Sequence, residues 1–244
     1  MTIIKGSSKL LFSGPPESLE PLDYTKLSRV REPVSRSKSG VQAKVADVLN
    51  GRSRHAESQN ELNAFRILAA TAQADAWQEQ PFSIEYHLDG YKRRYTPDVL
   101  IVWGLRREVL EIKEDREADL PENQERFSMI AQLLAEHGYG FRIWRRSEIC
   151  AEPRLTNASL ILRYRRVEVP AIENERIRQL FSSTREFRLS ALRDTPGVTA
   201  ASILRLVLNG RLHIDWWHPL DGDSLVSAVP IGPQLFPSPP SASA

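Results

Sequence analysis

The chain has 244 residues, 41% of them hydrophobic and 26% charged, the make-up of an ordinary globular protein long enough to bury a core. A formal net charge of +2 selects no partner, and the single cysteine, Cys150, excludes an intramolecular disulfide and a cysteine-built zinc site. No apolar run reaches bilayer length and no secretory core opens the chain, so no membrane partner is expected and the expected setting is the cytoplasm.

Residues 1–52 are rich in Ser, Pro, Lys and Arg, too sparse in apolar residues to define a period. They predict a basic, extended arm with one short helix from Val41 to Leu49. Between Lys26 and Arg54, eight Lys and Arg residues stand against Glu32 and Asp47 alone, a distribution suited to phosphate contact. From Glu57 to Ala72 the period becomes helical, with Leu62, Phe65, Ile67, Leu68 and Ala72 on the apolar face, and Gln80-Pro81 breaks it. Phe82 to His87 alternates as a strand, Asp89-Gly90 signals a hairpin, and Tyr91 to Tyr95 continues the pairing.

Two apolar strands follow, Val99 to Val102 and Val109 to Lys113, joined through Gly104-Leu105-Arg106. Pro121 to His137 predicts a second helix, with Pro121 in its first turn, Phe127, Ile130, Ala131, Leu133 and Leu134 as its stripe, and Gly138 at its end. Phe141 to Trp144 is a further strand, brought beside the Glu111 strand by a β-α-β crossover. Helix, three or four strands, helix, strand is the core order of a restriction-endonuclease-like α/β fold, a mixed sheet flanked by helices over residues 53–152. In residues 153–229, short helices at Glu173 to Phe181, Leu189 to Asp194 and Ala200 to Leu208, the last capped by Thr199, precede strands at Arg211 to Trp217 and Ser224 to Val229. That order predicts a small winged-helix domain. Residues 230–244 form a Pro/Ser-rich tail.

The chemistry concentrates on the two central strands. Asp98 opens one of them after Pro97, and Glu111 and Lys113, two apart on the other, share a face. Antiparallel pairing brings Asp98 alongside Glu111. Carboxylates in such apolar strands are costly to bury unpaired and repel each other, so the pair calls for a cation. Two hard oxygen donors and an ammonium beside a sheet suit Mg²⁺-dependent phosphodiester hydrolysis, with Mn²⁺ as a substitute, and make up the P-D…E-x-K pattern of a large nuclease superfamily. Lys113 is suited to neutralise developing charge or to orient and activate the attacking water. Glu61, one turn before Phe65, is the expected helix carboxylate of the site. Glu57, one turn earlier on the same line, competes for that role, and Gln124 near the start of the second helix is a weaker supporting position.

Ser58-Gln59-Asn60-Glu61, Gln78-Glu79-Gln80-Pro81-Phe82, Tyr95-Thr96-Pro97-Asp98, Glu111-Ile112-Lys113 and Pro121-Glu122-Asn123-Gln124 follow one another as in TnsA-type endonuclease subunits of heteromeric bacterial transposases. The resemblance runs from about Glu57 to Glu148, and the winged-helix region fits by element order alone. It implies a nuclease that cuts the non-transferred strands at the 5′ ends of a mobile element. The implied partners are transposon-end DNA, a DDE-type transposase that cuts and joins the other strands, and an AAA+ ATPase regulator that contacts the C-terminal region. It also implies Glu61, Asp98, Glu111 and Lys113 as catalytic positions, and two Mg²⁺ ions with Glu61, Asp98, Glu111 and Ile112 in the metal set. Some members carry Gln where this chain has Glu111. The alternatives are a stand-alone restriction or repair nuclease and a non-catalytic DNA-binding module.

Overall fold

The computed structural model describes residues 9–12, 29–30, 43–47, 51–72, 74–88 and 90–232. The chain divides into two units, residues 1–65 with 74–150 and residues 66–73 with 151–244. In chain order the first elements are β1 (Lys9–Phe12), β2 (Ala43–Asp47), β3 (Arg52–Ala56), α1 (Gln59–Thr71), β4 (Ala76–Glu79), β5 (Phe82–Leu88) and β6 (Tyr91–Tyr95). Then come β7 (Val99–Trp103), β8 (Arg106–Lys113), α2 (Asp115–Ala118), α3 (Pro121–Glu136), β9 (Gly140–Arg145) and α4 (Arg146–Ile149).

The first unit is built on a mixed sheet of order β4-β7-β8-β9, in which only β8 and β9 run parallel. Val99, Leu100, Ile101, Val109 and Leu110 are each 1% exposed or less, which is why their strands read as continuous apolar runs. Gly104 turns between the two strands at φ +52°, a conformation that favours glycine. Helix α3 makes the crossover to β9: Pro121 occupies its first turn, Phe127, Ile130 and Leu134 are buried, and Gly138 leaves it at φ +77°. A second sheet, β1-β5-β6, contributes Phe82, Ile84 and Tyr86 to a core shared with Leu100, Val102, Val109, Ile130 and Leu134. Each such side chain contributes about 1.5–3 kcal/mol by leaving water.

The described part of the helix expected over Val41–Leu49, residues 43–47, is not helical. Ala43–Asp47 is a strand paired with Arg52–Ala56, and Val45 and Asp47 alternate inward. The reason is Arg54. Its guanidinium, 3% exposed, donates to Asp47 Oδ2 (2.9 and 3.1 Å), Gln78 Oε1 (2.6 Å), Glu79 Oε2 (3.1 Å) and the Trp77 carbonyl (2.7 Å), and lies 4.7 Å from the Trp77 ring. Burying that charge requires the Asp47 and Glu79 carboxylates together, and a strand hairpin supplies the first of them. The same network ties the β2-β3 hairpin to β4, a strand the sequence pattern does not mark; α1 has already ended at Thr71.

The second unit contains α5 (Arg154–Ile161), a 3-10 turn (Leu162–Arg166), α6 (Ala171–Ser183), β10 (Glu186–Arg188), α7 (Leu189–Arg193), α8 (Ala200–Leu208), β11 (His213–Ile214) and β12 (Leu225–Ser227). Its strands form an antiparallel sheet of order β10-β12-β11. Thr199 caps α8 by accepting from the Ser202 amide at 3.1 Å, and its own N–H and hydroxyl donate to Glu173 Oε1. Three expected helices are present, while the expected strand over Arg211–Trp217 is only His213–Ile214: Asp215 Oδ1 accepts from the Trp217 amide and turns the chain. Residues 233–244, most of the expected tail, and most of the expected arm lie outside the described residues. Among the described residues, no helix is long and apolar enough to cross a membrane.

Candidate active site

The strand register settles the first question about the site. Val99 pairs with Leu110, which sets Asp98 opposite Glu111, and the Asp98 carbonyl extends the ladder by accepting from the Gln80 amide at 2.9 Å. By alternation, Asp98, Leu100 and Val102 share a face with Val109, Glu111 and Lys113. Leu100, Val102 and Val109 belong to the core under that face, so the two acids stand at its rim.

Each carboxylate is held by donors. Asp98 Oδ2 accepts from the Ile112 amide at 2.7 Å. Glu111, 5% exposed, pairs through Oε1 with Lys113 Nζ at 2.9 Å and accepts at Oε2 from the Tyr95 hydroxyl. Burial, and then the charge of Glu111, push the Asp98 carboxyl well above the usual carboxylate range, against the Ile112 amide and Lys113; Glu61 adds a smaller push in the same direction. Burial alone would lower the Lys113 ammonium, but Glu111 and Asp98 outweigh it and hold it above its ordinary range. Burial also raises the Tyr95 phenol, with the Glu111 charge reinforcing it.

Glu61 stands at the start of α1. Ser58 caps the helix, its hydroxyl accepting from the Glu61 amide at 3.1 Å and donating to Glu61 Oε1 at 3.1 Å, while Oε2 accepts from the Glu57 amide at 2.9 Å. Burial nevertheless pushes the Glu61 carboxyl above its usual range. Asp98, Glu111, Lys113 and the Ile112 amide thus come together, whereas the Glu61 carboxylate lies on the helix cap. Among the described residues, no three His, Cys, Asp or Glu side chains are already gathered as a metal-binding group. Glu57 is paired with Arg29, and Gln124 is exposed in the first turn of α3. The donor chemistry fits a hard divalent cation: two adjacent carboxylates, one of them held toward its protonated form by burial and by the other's charge, are relieved by positive charge from oxygen-preferring ions.

Sequence reasoning missed two groups. Tyr95 stands in the motif three residues before Asp98, but the sequence pattern does not mark its contact with Glu111. No local signal marks Arg29, since its partners lie 26 to 51 residues away. Lys113 pairs with Glu111 rather than with Glu114 or Asp115, which turn instead to Asn60 and Ser147. The second unit holds a cavity of about 420 Å³ lined by Ile177, Phe181, Leu206, Leu212 and Arg211, with no carboxylate in its walls. It offers nothing for hydrolysis.

Residues 72–145 match the family model described as TnsA-like endonuclease N terminal, a span that contains β4 to β9 and the Asp98, Glu111 and Lys113 positions. No curated protein matches the chain.

Proposed function

We propose, from the match of residues 72–145 to the TnsA-like endonuclease N-terminal model, that the chain is the Mg²⁺-dependent nuclease subunit of a heteromeric transposase. In this reading it hydrolyses the non-transferred strands at the 5′ ends of a mobile element, while a DDE-type transposase processes the other strands. The observation that carries the reading is the pairing of Asp98 with Glu111-x-Lys113 at the rim of a buried sheet.

Glu61, Asp98, Glu111 and the Ile112 carbonyl are the groups that would hold Mg²⁺, with Mn²⁺ substituting. When bound, the ion supplies Lewis-acid polarisation of the phosphate and a more acidic water. Lys113, paired with Glu111 Oε1 at 2.9 Å, is placed to offset charge that develops on the scissile phosphate or to orient the attacking water. Tyr95 orients Glu111 by donating to Oε2, and the Ile112 amide orients Asp98. Tyr91, Lys92, Arg93 and Arg94 lie exposed along β6, the strand that leads to Tyr95, and suit a DNA backbone. In the second unit, α6, α7 and α8 with sheet β10-β12-β11 support a winged-helix reading. Helix α8 buries Ile203, Leu204, Leu206, Val207 and Leu208, and Arg205 donates to the Arg165 carbonyl at 2.6 Å, so it favours packing over base readout. An AAA+ regulator is the proposed partner of this unit.

The test is a strand-resolved cleavage assay on transposon-end DNA with the DDE-type transposase and the AAA+ regulator. Asp98→Ala is expected to abolish the 5′-strand cuts and spare 3′-strand joining, so that cointegrates replace simple insertions. Unchanged products would overturn the assignment, and robust cutting by the purified chain alone would move it to a stand-alone nuclease.

A further inference from the structure

Arg29 is the one basic residue of the described N-terminal segments whose guanidinium reaches the surroundings of both Asp98 and Glu61. Its side chain is 10% exposed. Nε donates to Gln80 Oε1 at 2.9 Å, Nη1 to the His55 carbonyl at 3.2 Å, and Nη2 to the Glu57 carboxylate. The next residue, Val30, packs on the core and donates its amide to the Gln80 carbonyl at 3.0 Å.

Both main partners lead directly to acids of the site. The Gln80 amide donates to the Asp98 carbonyl at 2.9 Å, and the Glu57 amide donates to Glu61 Oε2 at 2.9 Å. Gln80 also sits at φ +41°, a left-handed conformation that a non-glycine residue keeps only where its surroundings impose it. Here the surroundings are the side chain of Arg29, the amide of Val30 and the carbonyl of Asp98. A planar fork with donors in fixed directions can serve three acceptors at once, which an ammonium on a flexible stem does not.

We propose that Arg29 is a positioning residue for the metal-binding acids: delivered by the N-terminal arm, it fixes Asp98 through Gln80 and Glu61 through Glu57. The ion pair also commits Glu57 to this supporting role and leaves Glu61 as the helix carboxylate. The inference rests on the metal-site reading given above. It makes Arg29 part of the support of the site.

The experiment measures Mn²⁺ affinity of the full chain from the paramagnetic resonance signal of the free ion, alongside thermal melting. Arg29→Gln and Arg29→Lys are expected to weaken Mn²⁺ binding about 10-fold, the low end of the range for loss of a ligand's direct outer partner, because Arg29 acts one contact further out. A merely structural arginine would lower the melting temperature and leave the affinity of the folded fraction unchanged. Gln80→Gly keeps the proposal testable if the arginine variants fold poorly, because it relieves the positive φ while removing the Arg29 acceptor. It is expected to weaken Mn²⁺ binding at an unchanged or higher melting temperature. Wild-type affinity in folded Gln80→Gly or Arg29→Lys would overturn the proposal. Failure of the wild-type chain to bind Mn²⁺ would overturn the metal-site reading itself, and this inference with it.

Discussion

Replacing Asp98 by asparagine separates what the acid costs the fold from what it gives the function. The carboxyl faces Glu111 across neighbouring strands, where side chains stand roughly 5 Å apart. At an effective dielectric of about 20, two unit charges at that distance repel by roughly 3 kcal/mol. The Ile112 amide and Lys113 offset part of this, so neutralising Asp98 should stabilise the metal-free protein by about 1–2 kcal/mol, or ~2–8 °C in melting temperature for a chain of this size. Asparagine keeps an oxygen for the Ile112 amide, so that hydrogen bond survives. The sign with pH follows from linkage. An acid whose folded pKa is raised binds more protons folded than unfolded, so its contribution is fully present below the unfolded value and is lost as pH rises through the folded one. The advantage of Asp98→Asn should therefore be near zero at pH 4 and grow toward pH 8. Melting in EDTA across that range, followed by circular dichroism, measures it. A variant less stable than wild type at pH 8 would refute the reasoning, because it would mean that the charge is already compensated without metal.

Four further outcomes are expected. Lys113→Met leaves Glu111 without its cation and should lower stability by about 1.5–3 kcal/mol, read by urea unfolding, while reducing cleavage at least 100-fold. Arg54→Met strands Asp47 and Glu79 in the interior and should cost about 3–5 kcal/mol, read in the same unfolding series. Arg93→Gln combined with Arg94→Gln should lower the salt-dependence slope of DNA binding by about 2, at roughly 0.9 per phosphate contact, without altering the Mn²⁺ titration. Thr199→Ala removes the cap of α8 and should destabilise the second unit by about 1 kcal/mol, seen as faster amide exchange in α8.

The site was legible where local pattern and function coincide. Apolar runs make β7 and β8 readable, alternation places Glu111 and Lys113 on one face, and pairing of the strands through the Gly104 turn brings Asp98 opposite Glu111. The misread segments are fixed by side-chain contacts that hydrophobic periodicity does not encode. Ala43–Asp47 reads as helix until Asp47 is known to meet Arg54, and β4 reads as loop because Gln78 and Glu79 are buried by that same arginine. Glu61 was legible as an acid at the edge of a helix, but its capping hydrogen bonds to Ser58 and Glu57 come from the local chain rather than from the sheet it was matched to. Tyr95 reaches Glu111 across 16 residues and Arg29 reaches Gln80 across 51, contacts that no periodicity encodes.

The central claim, that Asp98 and Glu111 form a divalent-cation site, is tested most directly by isothermal titration of Mn²⁺ into the full chain and its folded Asp98→Asn and Glu111→Gln variants. Saturable binding to wild type that is lost in both variants is the predicted result. Equal binding by all three proteins would place the metal elsewhere and contradict the account.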